Sequence, residues 1–176
     1  MKFSKKDRIE IFENAISWLV VLAMLIYGGS KIVQFKGATA IDKPINQATG
    51  MELMWAFYGY SRAFAISLGF FEITGTILML IKKTRILGCL IISTLLINII
   101  LQDIFFEVNA GALRAAILYQ VCILIILWIN KEKLIKSIKV LLLNKTSGEL
   151  RTKRFYKFSI AFLLLILAEY LITTTS

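Results

Sequence analysis

The chain has 176 residues, 58% of them hydrophobic, and a formal net charge of +10. A soluble domain of this size needs neither so much apolar surface nor such long apolar runs, so a membrane protein is the expected class. The chain contains no histidine, which excludes histidine-ligated haem, the usual histidine-containing zinc sites and any Ser-His or Cys-His catalytic arrangement; we expect no metal site.

A bilayer core about 30 Å thick takes about 20 apolar residues in helix. Runs of that order at 13–34, 58–81, 86–106, 113–130 and 158–174 predict five transmembrane helices in one domain, an all-α integral membrane bundle. The first run follows Lys2, Lys5, Lys6 and Arg8, as a signal peptide would. It extends past a normal signal-peptide core and meets no A-x-A-like cleavage site, so it reads as a retained helix. A long loop from Gln34 to about Phe57 carries Pro44 and the turn-prone INQATG. Trp55, Phe57, Tyr58 and Tyr60 then fit an aromatic belt at the outer interface, or a short helix lying on the membrane and covering the bundle. The turns KKTR at 82–85 and FEVNAG at 106–111 are short enough to join antiparallel neighbours. In segment 131–157, lysines are set among Leu134, Ile135, Ile138, Leu141 and Leu142. That pattern suits a helix on the inner membrane surface, or a solvated connector with an interfacial first half.

The basic residues carry the predicted orientation. Of 21, four lie in the N-terminal segment, three in KKTR and nine in 131–157. The positive-inside rule places all three segments in the cytoplasm, with the N-terminus inside and the C-terminus outside a bacterial inner membrane. The charge is therefore orientation information, with attraction to anionic lipid as a secondary effect and no nucleic-acid partner. On this topology the N-K-T sequon at 144–146 is cytoplasmic and is discounted. Cys89 and Cys122 form no C-x-x-C pair and read as buried, inert thiols.

The remaining polar residues sort by depth. Lys31 lies near the outer end of the first span, with Tyr27 one turn deeper, and Arg62 lies about a turn inside the second. Glu72 is central in the second span and Asn98 central in the third, with Gln102, Asp103 and Glu107 following outward. Arg114 opens the fourth span, Gln120 lies deeper in it, and Glu169 sits in the outer part of the fifth. Lys31, Arg62 and Arg114 thus face Glu72, Asp103, Glu107 and Glu169, the near-balance expected when ions must pair in low dielectric. An outward-opening polar cavity follows, above an inner half expected to be almost purely apolar. The alternative for Lys31, Arg114, Asp103 and Glu107 is that they snorkel to the interface. Glu72 is too deep for that. At about 100° per residue, Ser61, Ala65, Gly69, Glu72 and Thr76 share a face, with Gly75 beside it, so the carboxylate points into a helix interface. Arg62 is about 15 Å away by helical rise, too far to pair with it. Asn98, Gln120, Tyr27, Lys31 or a proton remain as partners.

YGGSK at 27–31, FEITGTILML at 71–80 and KKTRILG at 82–88 resemble the motifs of the DoxX-like membrane proteins. In that family a small residue and a lysine close the first helix, and an E-x-x-G-x-x-L-x-L, T-R-x-x-G pattern follows. The resemblance covers roughly residues 15–130 and implies a four-helix core, to which the fifth, C-terminal transmembrane helix is an addition. It also implies that Lys31 and Glu72 are motif positions, and it brings in quinone as a ligand, since the family includes a quinone-reducing membrane subunit. Two functions are expected from this. One is a quinone-linked or redox-associated membrane subunit, in which Lys31 and Arg62 hydrogen-bond carbonyl oxygens and Glu72 exchanges protons. The other is a non-catalytic accessory or assembly subunit, with a membrane or periplasmic protein partner, whose buried polar residues specify helix packing.

Overall fold

The computed structural model describes residues 3–38, 41–142 and 151–174, and no strand occurs among them. The chain divides into two units, residues 1–135 and 136–176. The first contains α1 (Lys5–Ser30), α2 (Gly50–Tyr60), α3 (Arg62–Leu80), α4 (Arg85–Phe105) and α5 (Ala110–Ile129). α1 packs on α3 and α5, α3 on α4, and α4 on α5, closing an antiparallel ring of four. These four helices are each long and apolar enough to cross a membrane. Their outward residues are large and apolar, with Ile26, Phe70 and Trp128 each about two-thirds exposed or more. In water that surface would drive aggregation, whereas acyl chains solvate it.

Lipid gives helices no hydrophobic reason to associate, so close backbone packing has to hold the ring. Two glycine contacts supply it. A Cβ on Gly69 would stand 2.6 Å from the Gly28 carbonyl oxygen, so α1 and α3 touch backbone to backbone. One on Gly88 would stand 2.7 Å from the Gly75 carbonyl oxygen, which brings α4 equally close to α3. The buried residues of α3 are Ala65, Gly69, Glu72, Gly75, Thr76 and Met79, the small-residue face read from the spacing. Cys89 and Cys122 are free and buried among Val20, Met24, Ile92, Leu96 and Ile123.

Local signals place the helix ends. Ser4 and Asp7 form a reciprocal capping box at the start of α1, and Thr49 and Glu52 do the same for α2. Asn109 Oδ1 accepts from the Gly111 and Ala112 amides and opens α5. The second apolar run departs from the expected single helix over 58–81. Ser61 is extended (φ −124°, ψ 99°) and its hydroxyl accepts from the Phe64 amide, ending α2 and capping α3. Residues 31–38, 41–61 and 106–109 form one end of the ring, here the loop end. The N-terminus of α1 and residues 81–84 form the other, the turn end.

α6 (Lys131–Leu142) runs across the boundary between the units. In the second unit α7 (Arg151–Thr174) is 24 residues long. It begins seven residues before the expected span at 158, so part of the expected connector 131–157 is helical at both ends. The 144–146 sequon lies outside the described residues.

Candidate functional site

At the loop end, α1 to α5 surround a cavity of about 340 Å³. Its polar lining includes Tyr27, Lys31, Gln34, Tyr58, Glu72, Asn98, Gln102 and Asp103. Lys31 follows the last residue of α1 and directs its ammonium to Glu72 Oε1, 3.7 Å away. The pair is buried, with side chains 9% and 3% exposed. Lys31 also donates to Gln34 Oε1 at 3.1 Å and lies 5.6 Å from the Phe35 ring centre. The Gly28–Gly69 contact directly beneath makes this reach short: a Cβ on Gly69 would stand 3.0 Å from Lys31 Cβ. Among the candidates for partnering Glu72, Lys31 therefore holds the place.

From the other side, Gln102 Nε2 donates to both Tyr58 Oη and Asn98 Oδ1, each at 2.5 Å. Phe35 stacks on Tyr58 at 4.9 Å between ring centres and meets Trp55 edge-on at 5.4 Å, giving the cavity an aromatic wall. Burial raises the Tyr58 phenol above its ordinary pKa, keeping it a neutral hydrogen-bonding group.

The acids are incompletely satisfied. Glu72 Oε2 and Asp103 Oδ2 are buried and have no hydrogen-bond partner among the described residues. Buried polar atoms are nearly always partnered, so two open acceptors on one cavity mark a place suited to a donor. Among the described residues Lys31 is the only cation in the lining, against two carboxylates. The arrangement can therefore accept protons or hydroxyl donors, while Lys31 can donate to a carbonyl oxygen.

Six of the eleven polar residues sorted by depth line this cavity: Tyr27, Lys31, Glu72, Asn98, Gln102 and Asp103. Arg62 is the exposed first residue of α3 and lines a smaller cleft beside Lys31 and Lys36. Glu107 is exposed in the 106–109 turn with a left-handed backbone (φ 50°). Arg114 is exposed and donates to the Ala110 carbonyl of its own helix. Gln120 is held away from the cavity by donating to Ser93 Oγ at 2.8 Å, and Glu169 is exposed on α7 in the second unit. Asn98 is exposed overall rather than deeply buried. Gln34 and Tyr58 add to the polar lining; Tyr58 belongs to the expected belt, of which Phe57 and Tyr60 alone face outward.

The turn end overturns the expectation of an apolar inner half. Arg85 is buried and donates through Nη1 to Glu13 Oε1 and Asn14 Oδ1, both at 3.0 Å, and through Nε to the Met79 carbonyl. Asn130 Nδ2 donates to the same Glu13 oxygen at 3.0 Å. In the sequence Arg85 reads as an orientation charge and as the arginine of the T-R-x-x-G pattern; its pairing with a residue 72 positions away has no local signal.

No family model matches the chain, and no solved structure matches it. Over 110 residues, 61% of this chain and 70% of its relative, it is 34% identical to the "Uncharacterized protein YwoB" of Bacillus subtilis (strain 168). With that identity over more than two-thirds of the relative's length, the chain belongs to the family of YwoB.

Proposed function

We propose that the protein is a DoxX-like, redox-associated membrane subunit whose loop-end cavity binds the head group of a quinone or quinol. The supporting observation is the pair of open carboxylate oxygens, Glu72 Oε2 and Asp103 Oδ2, facing one buried ammonium across an aromatic-walled cavity. A quinol offers two hydroxyl donors on a flat ring, which suits two acceptors and the ring faces of Phe35 and Tyr58. A quinone offers carbonyl oxygens, which suit Lys31. The volume falls in the range of about 300–1,000 Å³ usual for small-molecule sites. In this reading the chain seats the ring and exchanges its protons, while a membrane or extracytoplasmic partner exchanges the electrons. The loop end then faces outward, with the N-terminus cytoplasmic in the bacterial inner membrane and α7 as a fifth span, as the positive-inside rule requires.

The test is binding of a short-chain quinone and its quinol to the detergent-purified protein, read by quenching of Trp55 fluorescence. Saturable binding that weakens at least about tenfold in Glu72→Gln and in Asp103→Asn, with melting temperatures little changed, supports the reading. Absence of saturable binding, or equal affinity in both variants, refutes it.

One observation favours a second reading, a non-catalytic accessory or assembly subunit. The Lys31–Glu72 pair sits on the Gly28–Gly69 crossing, where it also fixes the register of α1 against α3. On that reading Glu72→Gln lowers thermal stability or partner co-purification and leaves quinone affinity untouched.

A further inference from the structure

The turn end carries a second cavity, about 800 Å³, which the proposed function does not use. Its charged lining is Lys5, Lys6, Lys82, Lys83, Arg85 and Lys133 against Glu10 and Glu13. Both acids are already engaged, Glu10 by Lys82 and Glu13 by Arg85 and Asn130. Lys5, Lys6, Lys83 and Lys133 have no ion-pair partner among the described residues, yet α1, the 81–84 turn and the start of α6 bring them around one space.

The floor of the cavity is built rather than incidental. The Arg85 side chain is 9% exposed, and its guanidinium is fixed by three hydrogen bonds through Nη1 and Nε, which leave Nη2 without a hydrogen bond among the described residues. A planar group held this way is pre-organised to receive an oxyanion. The first turn of α4, beginning at Arg85 and Ile86, also meets the cavity; Thr84 makes no side-chain cap there, so that helix end adds partial positive charge. Six cations against two carboxylates leave the lining with an excess of positive charge that repels itself, and a multivalent anion removes that repulsion.

We infer that the turn-end cavity binds a phosphate-bearing anion, with Arg85 as the fixed donor and Lys5, Lys6, Lys83 and Lys133 as the surrounding charges. The chemistry is shared by the head group of an anionic phospholipid and by a soluble phosphate compound.

The experiment uses the full chain in detergent micelles. Melting temperature and ligand affinity are measured against two probes, pyrophosphate and short-chain phosphatidylglycerol, with phosphatidylcholine as the neutral comparison. Two double variants remove equal charge: Lys83→Gln with Lys133→Gln inside the cavity, and Lys136→Gln with Lys139→Gln outside its lining. Saturable binding of either anionic probe, weakened at least about tenfold by the first pair alone, establishes the site. Binding of phosphatidylglycerol only identifies a lipid head group, and pyrophosphate binding that phosphatidylglycerol fails to compete identifies a soluble phosphate ligand. Equal weakening by both pairs shows diffuse attraction and overturns the inference, as does the absence of saturable binding to either probe.

Discussion

The two ends of the helix ring handle buried charge in opposite ways. At the turn end, Glu13 receives Arg85 and Asn130, and the surplus charge around it is positive. At the loop end, Lys31 pairs with Glu72 alone while Asp103 lines the same cavity, each acid leaves an oxygen open, and the surplus is negative. A satisfied buried network locks helices together, whereas a partly satisfied one costs stability that only a ligand or a proton recovers. Stability and binding should therefore separate between the two ends.

The largest expected effect comes from breaking the lock. Arg85→Ala leaves Glu13 without its cation in a mostly buried position and should destabilise the bundle by about 3 kcal/mol, read by reversible unfolding in mixed micelles. A cost no greater than that of an exposed lysine would show that the turn end is not a lock. Next, Gly69→Ala places a methyl group against the Gly28 carbonyl, so α1 and α3 must separate. We expect a loss of about 2 kcal/mol together with weaker quinone binding, because Lys31 moves with α1. Retained affinity would disconnect that crossing from the cavity.

Glu72→Gln should cost less than either, about 1 kcal/mol or below, because removing a carboxylate with an open oxygen also removes a desolvation penalty. Destabilisation as large as that of Arg85→Ala would make the two ends alike and favour the assembly reading. The smallest effect lies outside the ring, at the start of α2. Lys43, the Thr49 amide and the Thr49 hydroxyl hold the Glu52 carboxyl at a pKa of about 2, below its ordinary 4.5. A depressed folded-state value stabilises α2 above the ordinary pKa, and that contribution fades as pH falls from about 4.5 towards 2. Amide protection factors at Glu52 and Leu53, with the intrinsic pH dependence of exchange divided out, should fall as pH drops through that window in the native protein and stay flat in Glu52→Gln.

Much of the ring is legible in the sequence because bilayer thickness sets helix length, and four of the apolar runs match it. The Gly69–Glu72–Thr76 face is legible for a similar reason: helical period alone decides which residues point together. What escapes is whatever depends on the third dimension. Arg85 looks like any residue of a basic turn until Glu13, Asn14 and the end of α5 close around it. Asn98 appears deep by position along α4, yet it lines the cavity and remains exposed. Arg62, Glu107 and Arg114 share the right depth with the site and differ from it only in direction. Tyr58 is the reverse case, since an aromatic near an interface reads as an anchor unless the chain turns it inward.

The extended residue Ser61 does that turning. In an uninterrupted helix Tyr58 and Glu72 would be about 21 Å apart along the axis, yet both line one cavity of about 340 Å³. A single pair of backbone angles thus converts distance along a rod into a shared chamber, with α2 as its roof. The lining residues need not change for the chamber to be lost: a helix that ran on through position 61 would lift the roof away.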